Sequence, residues 1–429
     1  MHKLLYKAGT GLAAAAIIAQ GFAGLALASI DVEISGNGAN STNDANVAVS
    51  DNTQVTQNNT ANITNNVNVS ADTGANDANK NTGGDVDITT GNATTTVGVS
   101  NTANSNVADV NGCCPSDLNV KISGNGAKSD NDANVAVKNS TWVDQNNYAK
   151  IKNNVDVDSD TGKNDANGNT GGSVSITTGN SSSDVAVSNT ANKNVATVGN
   201  GSGGGSLSVV ISGNGYKSTN TANVAVASLT GVQQNNRAKI TNDVDVDADT
   251  GKNDANHNTG GDVEILTGNA DAEVDVSNLA NFNFADVDSC GCILDGTVKI
   301  AGNGAKSDND ANVALASAKV IGQNNDYSCG YGHRGGNDVN SSSENGHKST
   351  PCNDVNVDLD TGKNDANGNT GDPGGDPSVT TGNAEADVVV ETTANSNVVG
   401  DADFDFDFPE IDLGGSSASL LLLLLAFFS

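Results

Sequence analysis

The sequence predicts an all-β chain in which four repeats of about 89 residues form an elongated β-solenoid, with tandem β-sandwich domains as the alternative. Three observations predict it: a long internal repeat, short stretches of period-two alternation, and Gly/Asn/Asp clusters that punctuate them. The motif Ile-(Ser/Ala)-Gly-Asn-Gly begins at Ile34, Ile122, Ile211 and Ile300, in steps of 88, 89 and 89 residues. Gln-Asn-Asn recurs at Gln57, Gln145, Gln234 and Gln323 with the same steps, and Thr-Gly-Asn closes the repeats at Thr90, Thr178, Thr267 and Thr381. A fixed period of this kind marks a stacked or tandem architecture. Stretches such as Val244-Asp245-Val246-Asp247 alternate apolar and polar residues, the mark of a strand with one buried face. Helix signals are absent after the first 28 residues.

Each repeat divides into pieces of about 14–20 residues, most with an Asn-x-Ala or Asn-Ala step and a short alternating strand. In the solenoid reading each piece is a coil or half-coil, with Asn, Thr and Ala stacked between coils. Roughly 18 such coils at about 4.8 Å each would make a rod near 90 Å long. Sandwich domains are usually close to 100 residues, but their cores draw on Leu and aromatics. Here aromatics are 3% and Trp142 is the sole Trp. The octapeptide Asp-Thr-Gly-Lys-Asn-Asp-Ala-Asn at 160–167, 249–256 and 360–367 reads as a corner. Thr and Gly turn the chain while Asp and Asn side chains satisfy local backbone groups.

The division that follows is a signal peptide at 1–28 and repeats at 29–112, 113–200, 201–289 and 290–400. The last repeat carries an inserted loop at 326–353; an Asp/Phe strand at 401–413 and an apolar tail at 414–429 complete the chain. Lys3 and Lys7 precede the apolar run, and Ala26-Leu27-Ala28 fits a leader cleavage site. The chain is therefore expected to be secreted and associated with the cell surface. Leu420–Phe428 is too short to span a bilayer, so membrane contact is expected only through this tail, if retained. The net charge of -31 argues against nucleic acid as a partner, because phosphate binding needs a basic face. The alternation of Asp with Phe404, Phe406 and Phe408 suits a strand capping the last coil or donated to a neighbour.

Val55-Thr56-Gln57-Asn58-Asn59-Thr60-Ala61-Asn62-Ile63 resembles the Gln-and-Asn-x-Ala strand–turn–strand repeats of curlin, without the glycine between them. Thr82-Gly83-Gly84-Asp85-Val86-Asp87-Ile88 is similar to the calcium-binding nonapeptide of repeats-in-toxin proteins, without its second glycine pair. Both resemblances imply secreted, stacked β structure.

Calcium is the one cofactor the acidic residues suggest. Asp156, Asp158 and Asp160 alternate, with Asp165 beyond the turn; Asp245, Asp247, Asp249 and Asp254 repeat the pattern, as do Asp358, Asp360 and Asp365. Closely spaced carboxylates of this kind supply the oxygen ligands calcium takes. The competing reading makes them the solvent face of strands whose Val residues point inward. In the inserted loop, Cys329 and Cys352 read as a disulfide, worth about 3 kcal/mol of loop closure. With His333 and His347 the same pair has Cys2His2 zinc spacing. Tyr327, Tyr331 and Arg334 make this loop the candidate ligand surface. Cys113, Cys114, Cys290 and Cys292 lie at repeat junctions and pair locally or between chains. No catalytic motif appears, and His257 takes a position held by Gly or Lys in other repeats, so the chain is not expected to be an enzyme.

The expected function is a non-enzymatic structural or adhesive component of a microbial cell surface or extracellular fibre. Its expected partners are other copies of itself or surface and matrix components. The alternative is a calcium-dependent module that binds a ligand through the inserted loop.

Overall fold

The computed structural model describes residues 17–23, 30–111, 117–199, 206–287, 296–328, 337–339, 352–371 and 376–400. These are all-β, with no helix among them, and their strands pair in parallel into stacked sheets. After β1 (Ile17–Ala23), the first repeat contributes β2 (Ile30–Ser35), β3 (Thr42–Asp72), β4 (Val86–Thr89) and β5 (Ala93–Asn111). The second repeats the set as β6 (Leu118–Ser123), β7 (Asp130–Asp160), β8 (Val174–Thr177) and β9 (Ser181–Val198). The third gives β10 (Leu207–Ser212), β11 (Thr219–Asp249), β12 (Val263–Leu266) and β13 (Ala270–Val287). In the fourth, β14 (Gly296–Ala301) precedes β15 (Asp308–Ser328), β16 (Asn337–Val339) and β17 (Asn353–Asp360), with β18 (Ser378–Thr380) and β19 (Ala384–Val399) following.

Apart from β1, which lies on β5, and β16, which lies on β17 of its own repeat, each described strand pairs with its counterpart one repeat away. Thr42 opposes Asp130 and Asp130 opposes Thr219; 30 residues later Asp72, Asp160 and Asp249 still align. β15 and β17 continue the same register on β11. This corrects the expected architecture: the 14–20-residue pieces lie side by side within one layer, and the whole repeat is the stacking unit. The cause is chemical. Only the 88- or 89-residue step places Val on Val and Asn on Asn, as in Val47–Val135–Val224 and Asn59–Asn147–Asn236. Four strands at about 4.8 Å put the first and last layers about 14 Å apart, in place of the expected 90 Å rod.

Period-two alternation fixes which side faces inward. Along β7 the buried set is Ala133, Val135, Val137, Val143, Ala149, Ile151, Val155 and Val157, while Lys138, Lys150 and Lys152 point to solvent. The first part of β7 packs on β6 through Leu118, Val120 and Ile122. The remainder faces β9 with the chain direction reversed: Val143 meets Ala196 and Val198, Ile151 meets Ala191, and Val157 meets Val185 and Val187. Small β-branched residues suffice because the interior is two side chains thick, which explains how so little aromatic content builds a core. β5 and its counterparts bend where Asn104, Asn192, Asn281 and Asn395 take a left-handed φ of 59–66° and drop out of the strand register. Asn tolerates that conformation better than other non-Gly residues.

Glycine stacks on glycine in the octapeptide corner. A Cβ on Gly162 would lie 2.0 Å from the Gly251 carbonyl oxygen, and one on Gly251 2.1 Å from that of Gly362. At Gly362, in the last described layer, the only neighbour within 4 Å among the described residues is Asp360 Oδ1 at 3.6 Å. Gly162→Ala should therefore lower stability by about 3 kcal/mol or more, whereas Gly362→Ala leaves the melting temperature of the single chain nearly unchanged. Thermal unfolding followed by circular dichroism checks both, and equal losses at the two sites would contradict the stacking register.

Candidate functional site

The most organised polar chemistry in the chain is a pair of buried amide files running through the layers. One file holds Asn65, Asn153, Asn242 and Asn353; the facing file holds Asn101, Asn189, Asn278 and Thr392. Asn153 is fully buried. Its Nδ2 donates to Asn189 Oδ1 at 2.9 Å and Asn242 Oδ1 at 2.7 Å; its Oδ1 accepts from Asn65 at 2.8 Å and Asn101 at 3.0 Å. Two donors and two acceptor lone pairs are thereby all used. Asn194 makes the same four bonds with Asn106, Asn147, Asn236 and Asn283. Beside it Gln145 donates to Gln57 Oε1 at 2.7 Å and to the Val195 carbonyl, while accepting from Gln234. An unpaired amide in such an interior would be costly, and a saturated one tolerates no other side chain.

The corners are built by the Asp residues of the calcium reading. Asp160 Oδ1 accepts from the Gly162 N–H at 2.8 Å, and the same carboxylate pairs with Lys163. Asp249 holds Gly251 and Lys252, and Asp360 holds Gly362 and Lys363, in the same way. The lysines occupy left-handed positions at φ 56–60°. Asn164, next in the octapeptide, donates to the Thr161 carbonyl and to Asn253 of the following layer. Asp156 and Asp245 face outward and accept from Asn68 and Asn356. Asp158, Asp247 and Asp358 stack along one outer stripe, and Asp77, Asp165, Asp254 and Asp365 along another. The pattern thus spreads these carboxylates along the stack, and among the described residues no three of His, Cys, Asp and Glu converge as a metal cage.

Burial pushes Asp165 and Asp254 up from the ordinary carboxylate range, reinforced at Asp165 by Asp77 and at Asp254 by Asp165 and Asp365. Burial also raises Asp158 and Asp247, with neighbouring Asp residues adding to it. Asp360 lies below the usual range because the Lys363 and Gly362 contacts outweigh its partial burial.

The loop residues fall differently. Tyr327 closes β15 and packs against the small cluster of Ala103, Ala191 and Ile240, and burial pushes its hydroxyl up to about 12. Cys352 is buried and disulfide-bonded. Cys329, Tyr331, His333, Arg334 and His347 lie outside the described residues, as do Cys113, Cys114, Cys290 and Cys292. His257 sits at a corner with φ 58°, where the other layers place Lys80, Gly168 and Gly368, all left-handed, so the site is a backbone requirement. No protein family model, curated protein or solved structure matches this chain.

Two outcomes follow. Asn153→Ala strands four amide partners, three of them buried, and should cost about 3 kcal/mol or more, whereas Asn146→Ala in an outward-facing file should cost less than about 1 kcal/mol. Denaturant titrations of the two variants compare them. The second concerns pH. Asp165 and Asp254 titrate higher folded than unfolded, so the folded chain binds more protons just above the ordinary carboxylate pKa. Stability contributed by these sites rises as pH falls toward that range and is lost as pH rises through their folded pKa. Asp165→Asn with Asp254→Asn should therefore raise the melting temperature at pH 7 and reduce its gain on acidification to about pH 4.5. An unchanged pH profile would contradict the assigned repulsion.

Proposed function

We propose that the chain is a secreted, non-enzymatic structural or adhesive protein of a microbial cell surface or extracellular fibre, built as a β-solenoid in which each repeat forms one coil. One observation carries this reading: files of buried Asn and Gln side chains join layer to layer, as at Asn153, whose four hydrogen-bonding positions are all filled by other amides. Such an interior serves mechanical persistence. The acidic exterior, with a net charge of -31, keeps it soluble outside the cell. The leader at 1–28 supplies the route out. Antibody labelling of intact producing cells, with N-terminal sequencing of the extracellular protein, tests the reading. External protein beginning at Ser29 is expected, and protein confined to the cell interior with residues 1–28 in place would overturn it.

A second reading, a calcium-dependent module binding a ligand through the loop at 326–353, draws on the stacked carboxylates. Burial raises Asp158 and Asp254, and the repulsion from neighbouring Asp residues that adds to it is what a divalent cation would relieve. A calcium-dependent rise in melting temperature, absent in Asp158→Asn with Asp247→Asn, would favour this reading. Identical melting in calcium and in chelator would remove it.

A further inference from the structure

The stack ends in two faces that match each other. On the last layer the inward-register residues Val313, Leu315, Val379 and Val399 are 44–57% exposed. Their counterparts deeper in the stack include Val135, Val224, Ile176 and Ile265, all buried. On the first layer β3 runs its full 31 residues, and among the described residues no strand pairs with its outer edge. An edge of that length is a template for another strand.

The amide files add a direction. Asn43, Asn131 and Asn220 each donate to the next layer, which leaves Asn309 Nδ2 at the last layer without a partner among the described residues. Asn104, Asn192 and Asn281 run the same way and end at Asn395. The first layer presents the acceptors these donors need, Asn43 Oδ1 and Asn104 Oδ1. The exposed file runs oppositely, from Asn312 through Asn223 and Asn134 to Asn46, so here the donor lies on the first layer and the acceptor on the last. Two first layers, or two last layers, brought together would set donor against donor in one kind of file and acceptor against acceptor in the other.

The chain also shows that both faces accept strands. Asn337-Asp338-Val339 lies on Asn353-Asp354-Val355 in the parallel register that a further layer would take, and Asn65-Asn66-Val67 of the first repeat has nearly the same sequence. At the other end β1 lies in parallel on Ser105–Asn111.

We propose that the last layer of one copy seats on the first layer of the next, in the register of the internal repeats, so that the chain polymerises head to tail into a polar filament. The inference rests on the structural reading above and names its partner as a second copy. Val313 then meets Val47, Gln323 meets Gln57, and Asn395 meets Asn104; the next copy's Asn65–Val67 replaces Asn337–Val339, and Ser396–Val399 takes the edge of Ser105–Ala108 that β1 covers in the single chain. A contact between two different faces does not close on itself, so growth is open-ended.

Glycines at the two faces provide the test. The Cβ of Gly162 points toward the next layer and that of Gly179 toward the preceding one, each onto a stacked glycine carbonyl, at 2.0 and 2.3 Å. At the ends, a Cβ on Gly91 meets nothing within 4 Å and one on Gly362 only Asp360 Oδ1. Gly91→Ala and Gly362→Ala are thus harmless within one copy, yet each blocks one face of an assembled stack. Sedimentation velocity and electron microscopy would be run on the full-length chain and on the chain beginning at Ser29. Polymers are expected from the wild type and monomers, with unchanged circular dichroism melts, from each variant alone. Mixing the two variants should give a species of twice the monomer mass and nothing larger, because each contributes one intact face. Wild-type monomers at all concentrations, polymers from either variant alone, or a mixture that stays monomeric would overturn the proposal. Surface labelling of cells would be unaffected by that failure, which separates it from failure of the secreted structural reading.

Discussion

Everything in this molecule depends on identical residues stacking on one another across layers. Parallel strands supply the backbone hydrogen bonds at any register, but the side chains accept only one. A slip of a single residue would turn Val155 and Val157 outward and bring Asp156 and Asp158 in, since successive side chains alternate between faces. The amide junctions at Asn153 and Asn194 sharpen this further. Each is satisfied only when its own file and the facing file are aligned together. Register along the strand and alignment between the two sheets are thus fixed by the same bonds.

The unusual composition follows from that constraint. A core two side chains thick has room for Val, Ile and Ala but little for Leu or aromatics. Where a larger ring does occur, the next layer yields: a Cβ on Gly231 would lie 2.1 Å from the ring of Trp142, so the layer above the single Trp carries glycine. Stacking also concentrates like charges. Asp165 stands between Asp77 and Asp254, and its carboxyl is raised above the ordinary range by burial with the Asp77 charge adding to it. The corner lysines, Lys163, Lys252 and Lys363, offset part of it by pairing with Asp160, Asp249 and Asp360.

Much of this was legible in the sequence. The 88- and 89-residue steps, the inward Val and Ile positions and the corner role of the octapeptide all follow from spacing and alternation. What was not legible was which period stacks. The 14–20-residue pieces resemble one another enough to suggest short coils, but only the residue-by-residue identity at the long step aligns Gln57, Gln145 and Gln234. The facing partner of each buried Asn was hidden too. Asn65 and Asn101 are 36 residues apart and meet only because the chain reverses through the corner. The separate placement of the Asp-x-Asp-x-Asp carboxylates was hidden as well: Asp156 points outward while Asp160 turns into the corner to hold Gly162.

The central claim is that one whole repeat forms one layer. The most direct measurement is the distance between Asn58 and Asn324, outward-facing positions in the first and last layers, by dipolar broadening between spin labels carried on unnatural residues. Stacking by whole repeats predicts a backbone separation of about 14 Å, three strand spacings. A separation of several tens of ångströms would mean that the shorter pieces coil on their own, and would contradict the account.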